Sequence, residues 1–172
     1  SLQDFITYCN QHIKGDENGE AQNFLERFFI AFGYKDGYKE TGGDFEYRIK
    51  DKNKHSTSFA DFVWKPRVLI EMKKRGEDLS IHYQQAFSYW QRLVPNRPNF
   101  VILCNFDEFW IYDFDKDIYE PQEKIELKNI DNRKEAFAFL LPKEKKPLFR
   151  IDREDVTEKV AKNISELYKK LT

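Results

Sequence analysis

The segment Phe59–Lys73, which reads FADFVWKPRVLIEMK, carries most of the information about how this chain folds. Apolar residues alternate with other residue types on both sides of Pro66. This alternation predicts two antiparallel strands, Phe59–Lys65 and Arg67–Lys73, that turn at the proline. In such a hairpin, residues equally distant from Pro66 face one another, and successive side chains point to opposite faces of the sheet.

One face of the predicted hairpin is apolar throughout, so we expect it to pack in the core. This face pairs Ala60 with Met72, Phe62 with Ile70, and Trp64 with Val68. On the opposite face Asp61 lies across from Glu71, with Cβ atoms about 4.5–5.5 Å apart. Lys73 is two residues beyond Glu71 and therefore lies beside the two carboxylates.

Two facing carboxylates repel each other, and partial burial increases the repulsion. A divalent cation would turn this repulsion into binding, and a few carboxylate oxygens with several waters suit Mg²⁺. Bound Mg²⁺ polarises a phosphodiester and lowers the pKa of a water ligand. Lys73 can orient or deprotonate that water and offset charge in the transition state, and the backbone carbonyl of Met72 is a candidate further metal ligand. The segment therefore predicts a hydrolytic metal site built on Asp61, Glu71 and Lys73.

The Glu-x-Lys pattern alone is weak evidence, because it occurs at Glu71–Lys73, Glu126–Lys128 and Glu144–Lys146. The second follows a stretch with a proline and many charges, in which we expect no apolar face, and the third lies in a charged loop. Only the first is expected on two strands with apolar backing. The alternative for that segment is a surface hairpin with a carboxylate–lysine ion pair.

The rest of the chain predicts an α/β fold, in which helices flank a central mixed β-sheet. We expect helices over Glu17–Phe32, Asp78–Leu93, Arg133–Leu140 and Glu154–Leu171, strands over Phe45–Ile49, Asn99–Cys104 and Phe109–Phe114, a short edge strand over Ile125–Leu127, and a polar loop, containing His55, over Asp51–Ser58.

Length and composition are typical of one globular domain. The chain has 172 residues, of which 40% are hydrophobic and 34% charged, and we expect residues 1–172 to form a single domain. No apolar stretch is long enough to span a membrane. Cys9 and Cys104 are in no metal-like spacing and are expected to be free buried thiols in a reducing cytoplasm. The net charge of −1 is weak evidence against a DNA-binding protein, but it is compatible with a nuclease whose grip on DNA comes from other domains.

Asp61, followed by Glu71-Met72-Lys73, resembles the signature of the PD-(D/E)xK nucleases, although Ala60 replaces the usual proline. Gln85 and Tyr89 resemble the QxxxY motif of related restriction subunits, and the segment Gly19–Leu25 resembles the first helix of such domains. The resemblance extends over roughly residues 17 to 115 and is closest to the N-terminal nuclease region of single-chain type IIG (including IIL) restriction–modification enzymes.

This resemblance implies a restriction-endonuclease-like core, with Asp61, Glu71 and Lys73 as catalytic residues and Mg²⁺ or Mn²⁺ as cofactor. It favours Glu20 as a third acidic group that reaches the metal through water, where the alternative is an exposed glutamate in the first turn of a helix. Four side chains would contact DNA or support the site, and each could instead be ordinary packing or a solvated rim: Gln85, Tyr89, Lys74 and Arg75.

The resemblance also implies that the chain is an excerpt of a longer restriction–modification polypeptide involved in phage defence. An S-adenosylmethionine-dependent methyltransferase and a target-recognition domain would follow Thr172. Double-stranded DNA would be the substrate, and the enzyme would work in the cytoplasm of a bacterium or an archaeon. Because one nuclease site cuts one strand at a time, transient dimerisation on DNA is a further possibility, and the sequence leaves open whether two copies must meet. Two alternatives remain open from the residues alone: a catalytically silent binding or docking module on the same fold, and a repair or transposition nuclease of the same superfamily.

Overall fold

The computed structural model describes residues 1–51, 53 and 56–171. Within these residues, six strands form one sheet and four α-helices accompany it. The strands are β1 (Asp44–Ile49), β2 (Ser58–Trp64), β3 (Val68–Met72), β4 (Phe100–Cys104), β5 (Glu108–Asp113) and β6 (Glu123–Glu126), and the α-helices are α1 (Leu2–His12), α2 (Glu17–Ala31), α3 (Tyr83–Arg92) and α4 (Arg150–Leu171). Short 3₁₀ helices span Gly37–Glu40, Leu79–His82, Leu127–Asn129 and Lys134–Leu140.

The strands lie in the sheet in the same order as in the chain, from β1 to β6. β3 and β4 are parallel, whereas the other neighbouring strands are antiparallel. The parallel pair needs a long crossover, which α3 and the 3₁₀ turn before it provide. The predicted α/β fold, with a mixed sheet flanked by helices, is confirmed.

The two faces of the sheet are covered by two separate hydrophobic clusters. The larger cluster joins α1 and α2 to one face and is rich in aromatic rings, with Phe24 and Phe28 of α2 both stacked against Phe109 of β5. The smaller cluster joins α3 to the other face through Ala86 and Tyr89. Both faces of the central strands are therefore buried, which fixes the direction of every side chain on them.

The predicted register of the hairpin is confirmed close to its turn, where Phe62 pairs with Ile70 and Trp64 with Val68. The expectation for Ala60 is wrong, because this residue lies in the smaller cluster, on the face opposite Phe62. The alternation breaks at Asp61, across from which Glu46 of β1 has a left-handed φ of 49°. Regular pairing between β2 and β3 ends there. Beyond that point, the carboxylates of Asp61 and Glu71 accept hydrogen bonds from backbone N–H groups of the facing strand.

Helix α1 was not predicted, although its N-terminus carries a capping box in which Ser1 and Asp4 bind each other's backbone N–H. The segment expected as a helix over Arg133–Leu140 is a 3₁₀ helix, of which residues 136–140 are all buried. The region expected as one helix from Asp78 begins with a separate 3₁₀ turn. Of the loop expected between strands β1 and β2, His55, Lys52 and Lys54 lie outside the described residues.

Cys9 of α1 and Cys104 of β4 are fully buried free thiols, as predicted. Burial raises the pKa of Cys9 to about 12, and it raises the pKa of Cys104 further. None of the helices formed by the described residues is both long enough and apolar enough to cross a membrane.

Helix α4 differs from the other helices, because none of its described residues is buried. Its first turns contact the domain through the ion pairs Lys116–Asp152 and Glu135–Arg153. An apolar stripe beyond them remains exposed; it comprises Val156, Val160, Ile164 and Leu167.

We therefore expect that deletion of residues 159–172 leaves the thermal unfolding midpoint unchanged within about 2 °C, since surface changes rarely exceed about 0.5 kcal/mol. Scanning calorimetry of the shortened and complete chains measures this. Phe149→Ala is the control, because Phe149 is fully buried just before α4 and its truncation costs about 3–5 kcal/mol. A large drop after the deletion would show that α4 stabilises the domain.

Candidate active site

Strand β3 places the predicted site, because all five of its residues are buried between the two clusters. Its parallel pairing with β4 continues one residue past the strand, where the N–H of Lys73 donates to the carbonyl of Cys104 at 2.7 Å. Met72 points into the larger cluster, as expected from the alternation. Lys73 is therefore held at the end of a rigid strand.

Asp61 and Glu71 exchange hydrogen bonds across the gap where the β2–β3 ladder ends. Asp61 Oδ2 accepts from the N–H of Met72 at 2.6 Å, and Glu71 Oε1 accepts from the N–H of Asp61 at 3.1 Å. Each carboxylate therefore stands in for a carbonyl of the missing ladder. Within the described part of the chain, Asp61 Oδ1 accepts no hydrogen bond, and Glu71 Oε2 has only the charge of Lys73 Nζ near it, at 3.9 Å.

Lys73 lies between Glu71 and an acid from α2. Its Nζ is 3.3 Å from Glu17 Oε1 and 3.9 Å from Glu71 Oε2. Glu71 and Lys73 are only 2% and 7% exposed. The structure thus brings together Asp61, Glu71 and Lys73, and it adds Glu17.

Asp61 and Glu71 are destabilised in their ionised form. Burial raises the pKa of Asp61, and burial together with the charge of Asp61 raises the pKa of Glu71 well above its usual value. Burial by itself would lower the pKa of Lys73, but Glu71 and Glu17 outweigh it and raise the pKa. Lys73 is therefore a cation at neutral pH.

Glu17 was missed at the sequence level, where Glu20 was chosen. Glu17 lies seven and eleven residues before Phe24 and Phe28, so it shares the helix face that packs on the sheet. That periodicity could have identified it. Glu20 instead accepts the backbone N–H groups of three residues that precede α2, so its role as a metal ligand stays a prediction, and the geometry favours Glu17.

The two basic residues after Lys73 have different environments. Lys74 is exposed. Arg75 is partly buried, and its guanidinium donates to the carbonyl of Ile13 at 2.7 Å and to Asp107 at 3.0 Å. A DNA contact remains a prediction for both residues, and the geometry favours Lys74.

Gln85 and Tyr89 share one face of α3, as expected from their spacing, and Gln85 Nε2 donates to the Tyr89 hydroxyl at 3.2 Å. Gln85 is exposed, whereas Tyr89 is 8% exposed and belongs to the smaller cluster. Packing with a polar tip accounts for Tyr89.

The competing Glu126–Lys128 segment differs from the expectation in one respect. Ile125 and Leu127 are buried in the larger cluster, so the segment does have apolar backing. An acid also stands opposite Glu126, namely Glu108 on β5. Burial separates the two segments, because the side chains of Glu126 and Lys128 are 53% and 71% exposed and pair at 2.6 Å.

Among the described residues, no three His, Cys, Asp or Glu side chains come together in an arrangement that could hold a metal ion by themselves. The oxygen atoms that could bind a metal ion come from the carboxylates of Asp61 and Glu71. Glu17 lies on the far side of Lys73 from this pair. Mg²⁺ commonly binds through one or two carboxylates and keeps several waters, so the pair fits that ion better than an ion that needs a complete protein cage.

A family model described as "MmeI, N-terminal domain" matches residues 2–172. The chain belongs to this family. The match agrees with the predicted resemblance to the N-terminal region of type IIG restriction enzymes. Searches of curated proteins and of solved structures found no match. Membership of the MmeI N-terminal family does not by itself assign roles to residues. For this chain, the PD-(D/E)xK assignment and the role of each site residue stay predictions.

Proposed function

We propose that this chain is the Mg²⁺-dependent endonuclease domain of a restriction–modification enzyme and hydrolyses phosphodiester bonds of double-stranded DNA. The observation that carries the proposal is the pair formed by the half-buried Asp61 and the buried Glu71 beside Lys73. Two acids that repel each other, one buried and one half-buried, reduce stability unless something compensates for them. A bound cation provides that compensation, and membership of the MmeI N-terminal family supports DNA as the substrate.

Asp61 and Glu71 would hold Mg²⁺, or Mn²⁺ in its place, through the oxygens that face away from their backbone partners, and the carbonyl of Met72 is the further candidate ligand. When bound, the ion polarises the scissile phosphate and lowers the pKa of a water ligand. The backbone bonds of the two acids keep their carboxylates in place before any ion arrives.

In the metal-free site Lys73 is an ammonium group, because the surrounding acids raise its pKa. Its charge would stabilise the additional negative charge on the phosphate in the transition state. Glu17 orients it through the 3.3 Å contact. Lys74, exposed beside the site, and Gln85 are our candidates for contacts with the DNA backbone.

We further propose that the domain belongs to a longer cytoplasmic polypeptide that also carries a methyltransferase, with S-adenosylmethionine as its cofactor, and a target-recognition domain. The net charge of −1 supports this arrangement, because a domain without net positive charge needs help to hold DNA. Transient dimerisation on DNA would allow both strands to be cut.

Isothermal titration of the chain with Mn²⁺ and Mg²⁺ tests the metal site. We expect one weak site with a Kd of about 10⁻⁴–10⁻³ M, as for sites with few charged ligands. Asp61→Asn should weaken binding about tenfold or more, because it keeps the hydrogen bond from Met72 but removes the charge.

The matched control is Glu126→Gln, which removes an acid from the exposed Glu-x-Lys segment and should leave the titration unchanged. Equal losses from both variants, or no loss from either, would contradict a metal site at the Asp61–Glu71 pair. A silent docking module predicts no saturable site at all.

A further inference from the structure

The segment Ile13–Asp16, here called the α1–α2 loop, is held from one side by a carboxylate. Glu20 accepts hydrogen bonds from the backbone N–H groups of Lys14, Gly15 and Asp16 at 3.0, 2.6 and 2.8 Å. These bonds satisfy consecutive donors next to the start of α2, where carbonyl partners within the helix are lacking.

Arg75 holds the carbonyl side of the same loop. Its Nη1 donates to the carbonyl of Ile13 at 2.7 Å, and its backbone N–H donates to the carbonyl of Gly15 at 3.1 Å. Gly15 has φ +92°, and a Cβ atom there would lie 2.2 Å from Arg75 Cβ, so the loop packs directly on this residue. Asp107 fixes the guanidinium from its other side through Nε at 3.0 Å.

The loop links both partners of a contact in the proposed active site. It ends at Asp16, immediately before Glu17, while Arg75 follows Lys73 by two residues. The distance between Glu17 and Lys73 therefore depends on how the loop sits on Arg75, as well as on how α2 packs on the sheet. Lysine has a long flexible side chain, so without Glu17 its ammonium group would no longer be confined to one place.

We propose that Arg75 is a positioning residue that acts with Glu20, through the α1–α2 loop, to hold Glu17 against Lys73. The inference rests on the proposed function. It replaces the phosphate contact expected for Arg75 with a role inside the protein, since its donors point at Ile13 and Asp107.

Steady-state cleavage of plasmid DNA by the full-length polypeptide tests this role. Arg75→Ala should lower kcat about tenfold, because small displacements of a catalytic group are costly, and it should leave the KM for DNA and its salt dependence unchanged. In a Glu17→Gln background, the same substitution should lower kcat less than twofold further, because residues that act through one contact are not additive.

Arg97→Ala is the matched control, since Arg97 also donates to a backbone carbonyl, that of Gln91, but at another place in the fold. It should leave kcat unchanged in both backgrounds. Arg75→Lys keeps the positive charge, but lysine has one side-chain nitrogen, whereas Arg75 uses Nε for Asp107 and Nη1 for Ile13. The kcat of this variant should therefore stay below that of the wild type. Asp107→Asn is a milder variant in case Arg75→Ala folds poorly, and it should lower kcat in the same direction.

Hydrogen exchange provides a readout apart from catalysis. The amides of Lys14, Gly15 and Asp16 should exchange faster in Arg75→Ala, while the Kd for Mn²⁺ stays within about threefold, because the loop does not hold the ion.

Different outcomes overturn different claims. A raised KM with a salt slope reduced by about one would mean that Arg75 contacts a phosphate, and this would overturn the inference. Full additivity with Glu17→Gln would also overturn it. If Lys73→Ala abolishes cleavage while Arg75→Ala leaves kcat unchanged, this inference fails alone. Normal cleavage by Lys73→Ala would overturn the proposed function and the inference with it.

Discussion

Lys73→Ala is expected to reduce DNA cleavage by the full-length enzyme about 10²–10³-fold, the loss typical of one electrostatic group that stabilises a transition state. The substitution removes the buried cation next to Glu71 and leaves the strand and its pairing with β4 intact. Single-turnover cleavage of a plasmid that carries the recognition sequence measures the effect. Methylation by the same polypeptide should continue, because that chemistry would lie in another domain.

Lys128→Ala is the matched control, because Lys128 also ends a Glu-x-Lys segment and also has a facing acid pair, Glu126 and Glu108, nearby. Its side chain is 71% exposed, and an ion pair of this kind contributes at most about 1 kcal/mol. Cleavage should stay nearly unchanged. Loss of cutting by Lys128→Ala with normal cutting by Lys73→Ala would mean that the active site lies at β6, and no effect of either would mean that this domain is not the nuclease.

Glu71→Gln is expected to abolish cleavage and, at the same time, to stabilise the metal-free protein. Burial and the charge of Asp61 raise the pKa of Glu71, so its ionised form destabilises the fold at neutral pH. Glutamine keeps an oxygen to accept from the N–H of Asp61 but carries no charge. Removal of such an active-site conflict commonly gains about 0.5–2 kcal/mol, which is roughly 2–4 °C in unfolding midpoint per kcal/mol for a chain of this size.

The pH dependence follows from the direction of that shift. A carboxyl with a raised pKa in the folded state contributes stability at low pH, and this contribution is lost as the pH rises from the unfolded-state pKa through the folded-state pKa. The gain from Glu71→Gln should therefore be small near pH 4 and grow toward pH 8. Mn²⁺ should raise the unfolding midpoint of the wild type but not of the variant.

Differential scanning fluorimetry with and without Mn²⁺ measures these changes. A lower midpoint for Glu71→Gln at pH 8 would show that Glu71 is mainly a structural partner of Lys73, and a metal role would then lose its support.

Much of the fold could be predicted because the periodicity of buried residues is strong where an element is covered on one or both faces. Helix α2 and strands β3 and β4 lie within a residue or two of their expected bounds. The failure at Ala60 has a local cause, since alternation holds only while the ladder continues and the ladder stops at Asp61. The strand pairing breaks here because a side chain, rather than a carbonyl of the neighbouring strand, accepts a hydrogen bond from a backbone N–H. The pattern of apolar residues in a sequence does not reveal where this happens.

The site was predictable to the extent that it lies on one hairpin. Asp61, Glu71 and Lys73 are close in sequence, and strand geometry brings them together. Glu17 comes from another element, and its contact with Lys73 depends on how α2 packs and on the loop before it. Arg75 was expected at the surface, because sequence alone does not reveal that a loop sixty residues earlier offers its carbonyls to it.

The two buried free thiols allow local opening of the protein to be detected by chemical modification. Cys9 lies on the buried face of α1, and Cys104 lies on β4 in the same cluster, on the face of the sheet that α1 and α2 cover. A thiol-modifying reagent therefore reaches neither thiol while α1 stays packed, and it reaches Cys9 once α1 detaches. The rate at which Cys9 is modified reports how often the N-terminal helix detaches, without any substitution near the active site.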